Sequence, residues 1–397
     1  MPRTDRSSQT PVTALRRVAA RHLWTPDAGL TGARALVLDA DHTLVDIAEV
    51  TPQDDVLDGI LMPGWVNCHA HLELSHHRKP VGRRGLGSPG WVGALFAANV
   101  PPRPDAALLA ARRARASGTA FLIDVSNSGD TAEAMSAARL RGTVQHELIG
   151  TTEARWSPGL SNPPTGKPEV PVRPTAHAPI SCAPELLRQA LSHPGPPPTI
   201  HCDEDSADAE LLAHRQGPWT AFHEAIARRA DHPWRTALGT ASSGVALLDQ
   251  LALLSHVDIG LVHLTHAGPE DLDRLAHSRA TAVLCPRSNQ HITGRLPDLP
   301  GMIARGIPIA LGTDSLASTP DLDLLAEAAV LHAAFPQVDP TVLVRALCNG
   351  GLLPHHPSAG ELAVGQRPDV LLVELPEDAH PLHRLLDGTR WPRRWLT

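Results

Sequence analysis

Nowhere in this chain do apolar residues run on toward the roughly 20 needed to cross a bilayer. The N-terminal MPRTDRSSQTPVTALRR also lacks the apolar centre of a secretory signal. The expectation is a cytoplasmic protein with no membrane partner. Dense basic patches are missing too, and the net charge of -7 speaks against nucleic acid as a partner, because phosphate binding needs clustered cations. Cysteine is scarce: Cys68, Cys182, Cys202, Cys285 and Cys348 stand singly, without the paired short spacings of a zinc module. Their odd number suits a reduced compartment better than a disulfide framework. Tyrosine is absent and phenylalanine occurs four times; no functional reading attaches to that scarcity.

What is present has ordinary globular proportions, with 42% hydrophobic and 19% charged residues, which excludes a disordered or fibrous chain. At 397 residues it is long enough for two or three ordinary domains, or for one barrel with a smaller attachment. Histidine is the unusual feature, at 23. Most histidines, such as His76, His77, His355 and His356, lie among polar or Pro-rich neighbours and read as solvated.

Residues 12–62 carry short β-like runs, ARALVLDA and HTLVDIAEV, with one helical stretch expected at TALRRVAARHL. Beyond His69, Ala- and Leu-rich helical segments alternate with short apolar runs: TAFLIDV, GTVQHELIG, PTIHC, GLVHLTH, ATAVLCP and PIALGTD. That alternation predicts repeated βα units around a parallel sheet. Two Pro-rich pieces, SPGLSNPPTGKPEVPVRP and SHPGPPP, read as loops within it. GELAVGQRPDVLLVEL then returns to β texture. The expected fold is α/β: a (β/α)8 TIM-type barrel over 63–350, with a small β-rich domain formed from both chain ends, 1–62 and 351–397.

In LMPGWVNCHAHLELS, strand alternation points His69 and His71 to one face and Cys68 and Ala70 to the other, so both imidazoles can reach one ion. Alone, the pair reads more readily as two exposed polar residues. PTIHCDEDS delivers His201 at a strand end with Glu204 three residues on; GLVHLTHAG ends a strand at His263, with His266 beyond it; PIALGTDSLAS ends one near Asp314. Each piece alone is an ordinary strand-to-loop turn. Their spacing changes this, because a βα unit takes about 30 residues or more. The 132 residues from His69 to His201 hold about four such units, which puts these residues on the first and fifth strands. His263 and Asp314 fall on the sixth and eighth. A barrel gathers the C-terminal ends of its strands into one mouth.

Three imidazoles and a carboxylate make a site for one divalent ion, Zn2+ or Fe2+, with a position open for water. Such an ion lowers the water's pKa toward neutrality. Asp314 is expected to coordinate and still take a proton on its free oxygen. Glu204 and His263 remain as proton-moving and oxyanion-steadying groups.

With these residues in view, the chain resembles the amidohydrolase superfamily, specifically its hydrolytic deaminases with one metal. The likeness runs in order through MPGWVNCHAHLELS, HAPISCAPELL, TIHCDEDS, LVHLTH, VLCPRSN, ALGTDSLAS and GELAVGQRPDVLLVE. It implies His69, His71, His201 and Asp314 as metal ligands, Glu204 as the acid/base protonating a ring nitrogen, His263 as partner of the attacking water, and His177 as a substrate contact. No lysine sits in the HAPISC strand, which points to one metal rather than a carbamylated-lysine bridge between two.

HLELS with CPRSN looks most like the aminodeoxyfutalosine deaminases of the menaquinone pathway. Glu73, Ser288 and Asn289 become candidate substrate contacts on the rim, each equally readable as part of a polar turn. The implied activity is deamination of an aminopurine-type nucleoside with release of ammonia. Amide or chloro-heteroaromatic hydrolysis by the same site is the alternative, and a barrel without turnover is a third reading. The partner is then a small-molecule substrate, and a homodimer stays open as the assembly. Trp65 beside the metal motif and Trp91, on a helix after RRGLGSPG that could form a lid, are expected to pack the core.

Overall fold

The computed structural model describes residues 15–101, 103, 105–229 and 232–397. Its fifteen strands, in chain order, are β1 (Arg16–Thr25), β2 (Gly29–Thr31), β3 (Arg34–Leu38), β4 (Leu44–Glu49), β5 (Val56–Pro63), β6 (Trp65–Ala70), β7 (Thr119–Ser126), β8 (Arg141–Leu148), β9 (Val172–Ala176), β10 (Thr199–Cys202), β11 (Ile259–His263), β12 (Ala280–Leu284), β13 (Ile309–Leu311), β14 (Val370–Val373) and β15 (Arg393–Trp395). Helices alternate with strands from β7 onward, so the mixed α/β texture of the sequence is realised.

Eight of these strands form two parallel sheets, ordered β6-β7-β8-β9 and β10-β11-β12-β13. Every residue of β6 and β7 is buried, as parallel strands covered on both faces require. Val66, Phe121, Ile123, Val262, Val283 and Ala310 pack together between the two sheets. Backbone bonds cross both gaps. His201 N–H donates to His177 O at 3.0 Å beside β9 and β10, and Thr313 and Asp314 N–H both donate to His69 O, at 2.9 and 3.0 Å, beside β13 and β6. Asn67 fixes that second seam: its Nδ2 donates to Thr313 Oγ1 at 2.7 Å and its Oδ1 accepts from Thr313 N at 3.2 Å.

A further sheet of seven strands runs β15-β14-β5-β1-β3-β4, with β2 on β1. Both ends of the chain contribute, because β14 pairs antiparallel with β5 from Val370 opposite Pro63 to Val373 opposite Ile60. Asp369, just before β14, accepts from Arg115 Nη2 at 2.7 Å and also from Arg141, tying this sheet to β8 and to the helix Ala106–Ala116.

Two local expectations change. The helix expected at TALRRVAARHL is the strand β1; the first two of its residues lie outside the described range. Helix propensity in that stretch is overridden by pairing on both edges, to β3 and β5, while Val18, Ala20 and Leu23 enter a shared apolar core. Likewise, the first Pro-rich piece is not all loop. It begins inside the helix Glu153–Ser161 and ends in β9, which pairs with β8 from Val144 opposite Val172 onward. Arg173 and Pro174 disguise that strand. Arg173, 2% exposed, gives its guanidinium hydrogen bonds to the carbonyls of Pro174, Pro196 and Ala190, so a charged residue occupies a core position without an orphaned donor.

Candidate metal centre and cavity

His69 and His71 sit at the end of β6 and just past it, held by the seam to Asp314 and by Asp124, whose Oδ1 accepts from Leu72 N at 2.7 Å. His201 is the penultimate residue of β10 and His263 ends β11. The chain leaves these strands through backbone angles that L-residues rarely adopt: Asp203 at φ 47°, His263 at 78°, Leu264 at 50° and Asp314 at 57°. Such residues cost on the order of 1–3 kcal/mol each and persist where the surroundings dictate them. Here they turn the side chains toward one point.

At that point His71 Nε2 and His201 Nε2 stand 3.2 Å apart. Asp314 Oδ1 lies 3.7 Å from His71 Nε2 and 3.9 Å from His69 Nε2. Donor atoms of His69, His71 and Asp314 all fall within 4.8 Å of one another, and so do those of His69, His201 and His263. His69 is fully buried, and neither of its ring nitrogens has a hydrogen-bond partner. Buried polar atoms without partners cost about 1–3 kcal/mol apiece, so an imidazole orphaned at both nitrogens fits a site built for a cation.

The electrostatics agree. Burial, then the neighbouring imidazoles, hold His69 well below the ordinary histidine pKa. Burial and His177 lower His201 to about 3, and burial lowers His263 to about 4 despite Asp314. Neutral imidazoles are the form that ligates metal. His201 Nδ1 lies 3.0 Å from the His177 carbonyl oxygen, to which it donates, leaving Nε2 free to face the other donors.

Glu204 follows His201 after one turn of chain, its Oε1 3.6 Å from His263 Nε2 and without a hydrogen-bond partner. Burial first, then the charges of Asp314 and Asp208, raise its pKa well above the ordinary glutamate value. Its neutral form is therefore favoured over what an exposed glutamate would show. Asn289 Nδ2 lies 3.0 Å from His263 Nδ1, which orients that ring and leaves Nε2 toward Glu204.

Three expectations change in detail. Ser288 and Asn289, expected on the rim as substrate contacts, are fully buried behind the site. Ser288 Oγ donates to Asp314 Oδ2 at 2.5 Å and Asn289 holds His263, so their hydroxyl and amide are already committed. Asp314 Oδ2, expected free to take a proton, accepts Ser318 Oγ at 2.9 Å as well. Glu73 is likewise occupied: its carboxylate accepts from Ser126 Oγ at 2.7 Å and from Asn127 Nδ2 at 2.9 Å. Cys202 points away from the centre, its thiol beside Asp203 Oδ2 at 3.6 Å. His177, with Nδ1 2.7 Å from Ser181 Oγ, does face the cavity.

That cavity, of about 780 Å³, opens from His71, His201, Glu204, His263 and Asp314 and runs between two helices. α1 (Ser88–Ala98) lends Trp91, Val92, Leu95 and Phe96, and the helix Pro218–Ala227 lends Trp219, Phe222 and Ile226. Trp91 is thus a cavity wall, half-buried, with Nε1 donating to Ala317 O at 3.2 Å. Trp65 is fully buried in the core.

Sequence reasoning missed Glu147, whose Oε1 stands 3.6 Å from His201 Nδ1 and whose pKa burial raises. Its place at the C-terminal end of β8 was the signal. His223, in the wall, gives none, because it lies mid-helix.

Residues 60–390 match the model of the amidohydrolase family, and the chain belongs to that family. It is similar to the aminodeoxyfutalosine deaminase of Deinococcus radiodurans, 32% identical over 183 residues, a match spanning 44% of this chain and 43% of that protein. A 5-methylthioadenosine/S-adenosylhomocysteine deaminase of Halalkalibacterium halodurans is 26% identical over 370 residues, covering 84% of this chain and 79% of the relative. Among solved structures, Helicobacter pylori aminofutalosine deaminase in complex with methylthio-coformycin superposes with a TM-score of 0.77 at 18% identity, covering 93% and 95% of the two chains. This last likeness concerns the fold.

Proposed function

We propose that this protein is a metal-dependent hydrolase that removes the exocyclic amino group of an adenosine-type nucleoside, aminodeoxyfutalosine being the favoured candidate, and releases ammonia. One observation carries the reading: Glu204, whose pKa burial raises well above the ordinary glutamate value, shares with the His/Asp donor cluster a cavity large enough for a nucleoside. The curated relatives named above carry the same class of activity in their names. On this reading 63–350 form a (β/α)8 barrel whose two four-stranded sheets meet along both edges, and 1–62, of which 1–14 lie outside the described residues, form a small β domain with 351–397. Five free, buried cysteines suit the reducing cytoplasm. No helix among the described residues is long and apolar enough to cross a membrane.

His69, His71 and His201, through Nε2, and Asp314, through Oδ1, would hold one divalent ion, Zn2+ or Fe2+. When bound, the ion supplies an acidified water. Every other step falls to the chain. Glu204 donates its proton to the ring nitrogen beside the reacting carbon, raising that carbon's electrophilicity; its carboxylate then carries one proton of the attacking water to the leaving amine, which departs as ammonia as the C–N bond breaks, and the second proton of the water restores the acid. His263 Nε2, aimed by Asn289 at Nδ1, steadies the developing negative oxygen. Ser288 and Ser318 fix the Asp314 carboxylate through Oδ2. The walls of α1 and of the helix Pro218–Ala227 exclude water and bind the part of the substrate that does not react.

Ammonia release from adenosine, methylthioadenosine and aminodeoxyfutalosine tests the reading, run beside an amide and a chlorotriazine. Turnover of a nucleoside supports it. Inertness toward all three nucleosides, with activity on the amide or the chlorotriazine, overturns it.

A further inference from the structure

α1 is not a free-standing lid. Its first residue, Ser88, donates its backbone N–H to Asp205 Oδ2 at 2.8 Å, and Asp205 is the residue after Glu204. Asp205 is 9% exposed, and its other oxygen accepts from Ala207 N at 2.9 Å, capping the helix Ser206–His214. One carboxylate thus closes the start of the cavity wall onto the loop that carries the acid. The Ser88 hydroxyl is buried and without a hydrogen-bond partner, and Ser88 and Glu204 both line the cavity. The approach to α1 is pinned as well: Gly87 N donates to Ile292 O at 2.8 Å, at the end of the helix that carries Ser288 and Asn289.

Gly87 shows how closely this contact is built. Its φ is +75°, and a Cβ there would stand 2.8 Å from Asp205 Oδ2. A side chain would therefore be strained by the backbone and would push the carboxylate away.

We propose that Asp205 is a positioning and specificity residue: it couples the apolar wall of α1 to Glu204, so that filling the wall with the substrate's non-reacting appendage seats the acid. This rests on the deaminase reading above. Binding energy from a remote substituent then appears in kcat rather than only in KM. The appendage that benefits is apolar, able to lie against Trp91, Val92, Leu95 and Phe96.

The test compares adenosine with an adenosine bearing an arylthio group at the 5′ position, using the metal-loaded full chain. The wild type is expected to show kcat about tenfold higher on the arylthio nucleoside. Asp205→Ala should bring the ratio of the two kcat values to about 1 while metal content stays unchanged, and Gly87→Ala should lower it in the same direction. A purely structural role would depress both kcat values equally and leave the ratio intact, which overturns the proposal. If Asp205→Ala does not fold, Gly87→Ala decides by the same ratio. A wild type active on both nucleosides with equal kcat defeats the proposal alone; a wild type inert toward both defeats the deaminase reading with it.

Discussion

Replacing Glu204 by glutamine isolates proton transfer from everything else at the site. The Oε1 of this glutamate is buried without a hydrogen-bond partner, and burial with the charges of Asp314 and Asp208 raises its pKa well above the ordinary value. An amide of the same shape therefore replaces a carboxyl whose charged form the site already disfavours. The cost to folding should stay below about 1 kcal/mol, as for volume-conserving exchanges. None of the four proposed ligands is touched, so metal content should remain at one ion per chain. What disappears is the transferable proton. General acid catalysis contributes about 10²–10⁴ in rate, or about 2.7–5.4 kcal/mol at 1.36 kcal/mol per tenfold. The assay is ammonia release at saturating nucleoside, with metal measured on the same preparation and thermal unfolding followed alongside. Activity within tenfold of wild type, or loss of metal together with activity, would refute the assignment of Glu204 as the acid.

Other outcomes follow from the same geometry. His201→Ala should lose metal and activity together, because it removes one donor of the cluster; an active variant with full metal content would contradict that role. Stripping the wild type with a chelator should abolish turnover and lower the unfolding temperature, since an ion held at 100 times its Kd stabilises the fold by about 2.7 kcal/mol; readdition of Zn2+ or Fe2+ should restore both, and unchanged stability would argue against a resident ion. Asp369→Ala should destabilise by about 1.5–3 kcal/mol in denaturant melts without altering metal content, because Arg115 and Arg141 lose a shared carboxylate at the start of β14; a stability unchanged within 0.5 kcal/mol, roughly the scatter of surface substitutions, would contradict it.

The donor cluster was legible in the sequence because strand ends carry their own signal. An alternating His-x-His after an apolar run, and three further runs ending near His201, His263 and Asp314, need only the period of a βα unit to be ordered along the sheet. Glu147 could have been read by the same rule at the end of β8. What was not legible follows from contacts rather than patterns. Ser288 and Asn289 look like rim residues until the chain is folded and their side chains are found already bonded to Asp314 and His263. β9 escaped notice because Arg173 and Pro174 occupy strand positions that apolar residues would have announced, and only the carbonyls of Pro196 and Ala190 make the arginine acceptable there. β1 has the composition of a helix and becomes a strand because two partner edges claim its backbone. The cavity wall is the largest omission: α1 and the helix Pro218–Ala227 are far apart in sequence, and Phe96 and Phe222 come within 6.4 Å, ring centre to ring centre, only in three dimensions.

The most direct measurement is anomalous diffraction at the absorption edges of zinc and iron, on crystals of protein expressed with both metals supplied. The account predicts one ion per chain, about 2.0–2.2 Å from Nε2 of His69, His71 and His201 and from Oδ1 of Asp314. An ion bound elsewhere, or these four side chains bonded only to one another in a protein that still turns over substrate, would contradict it.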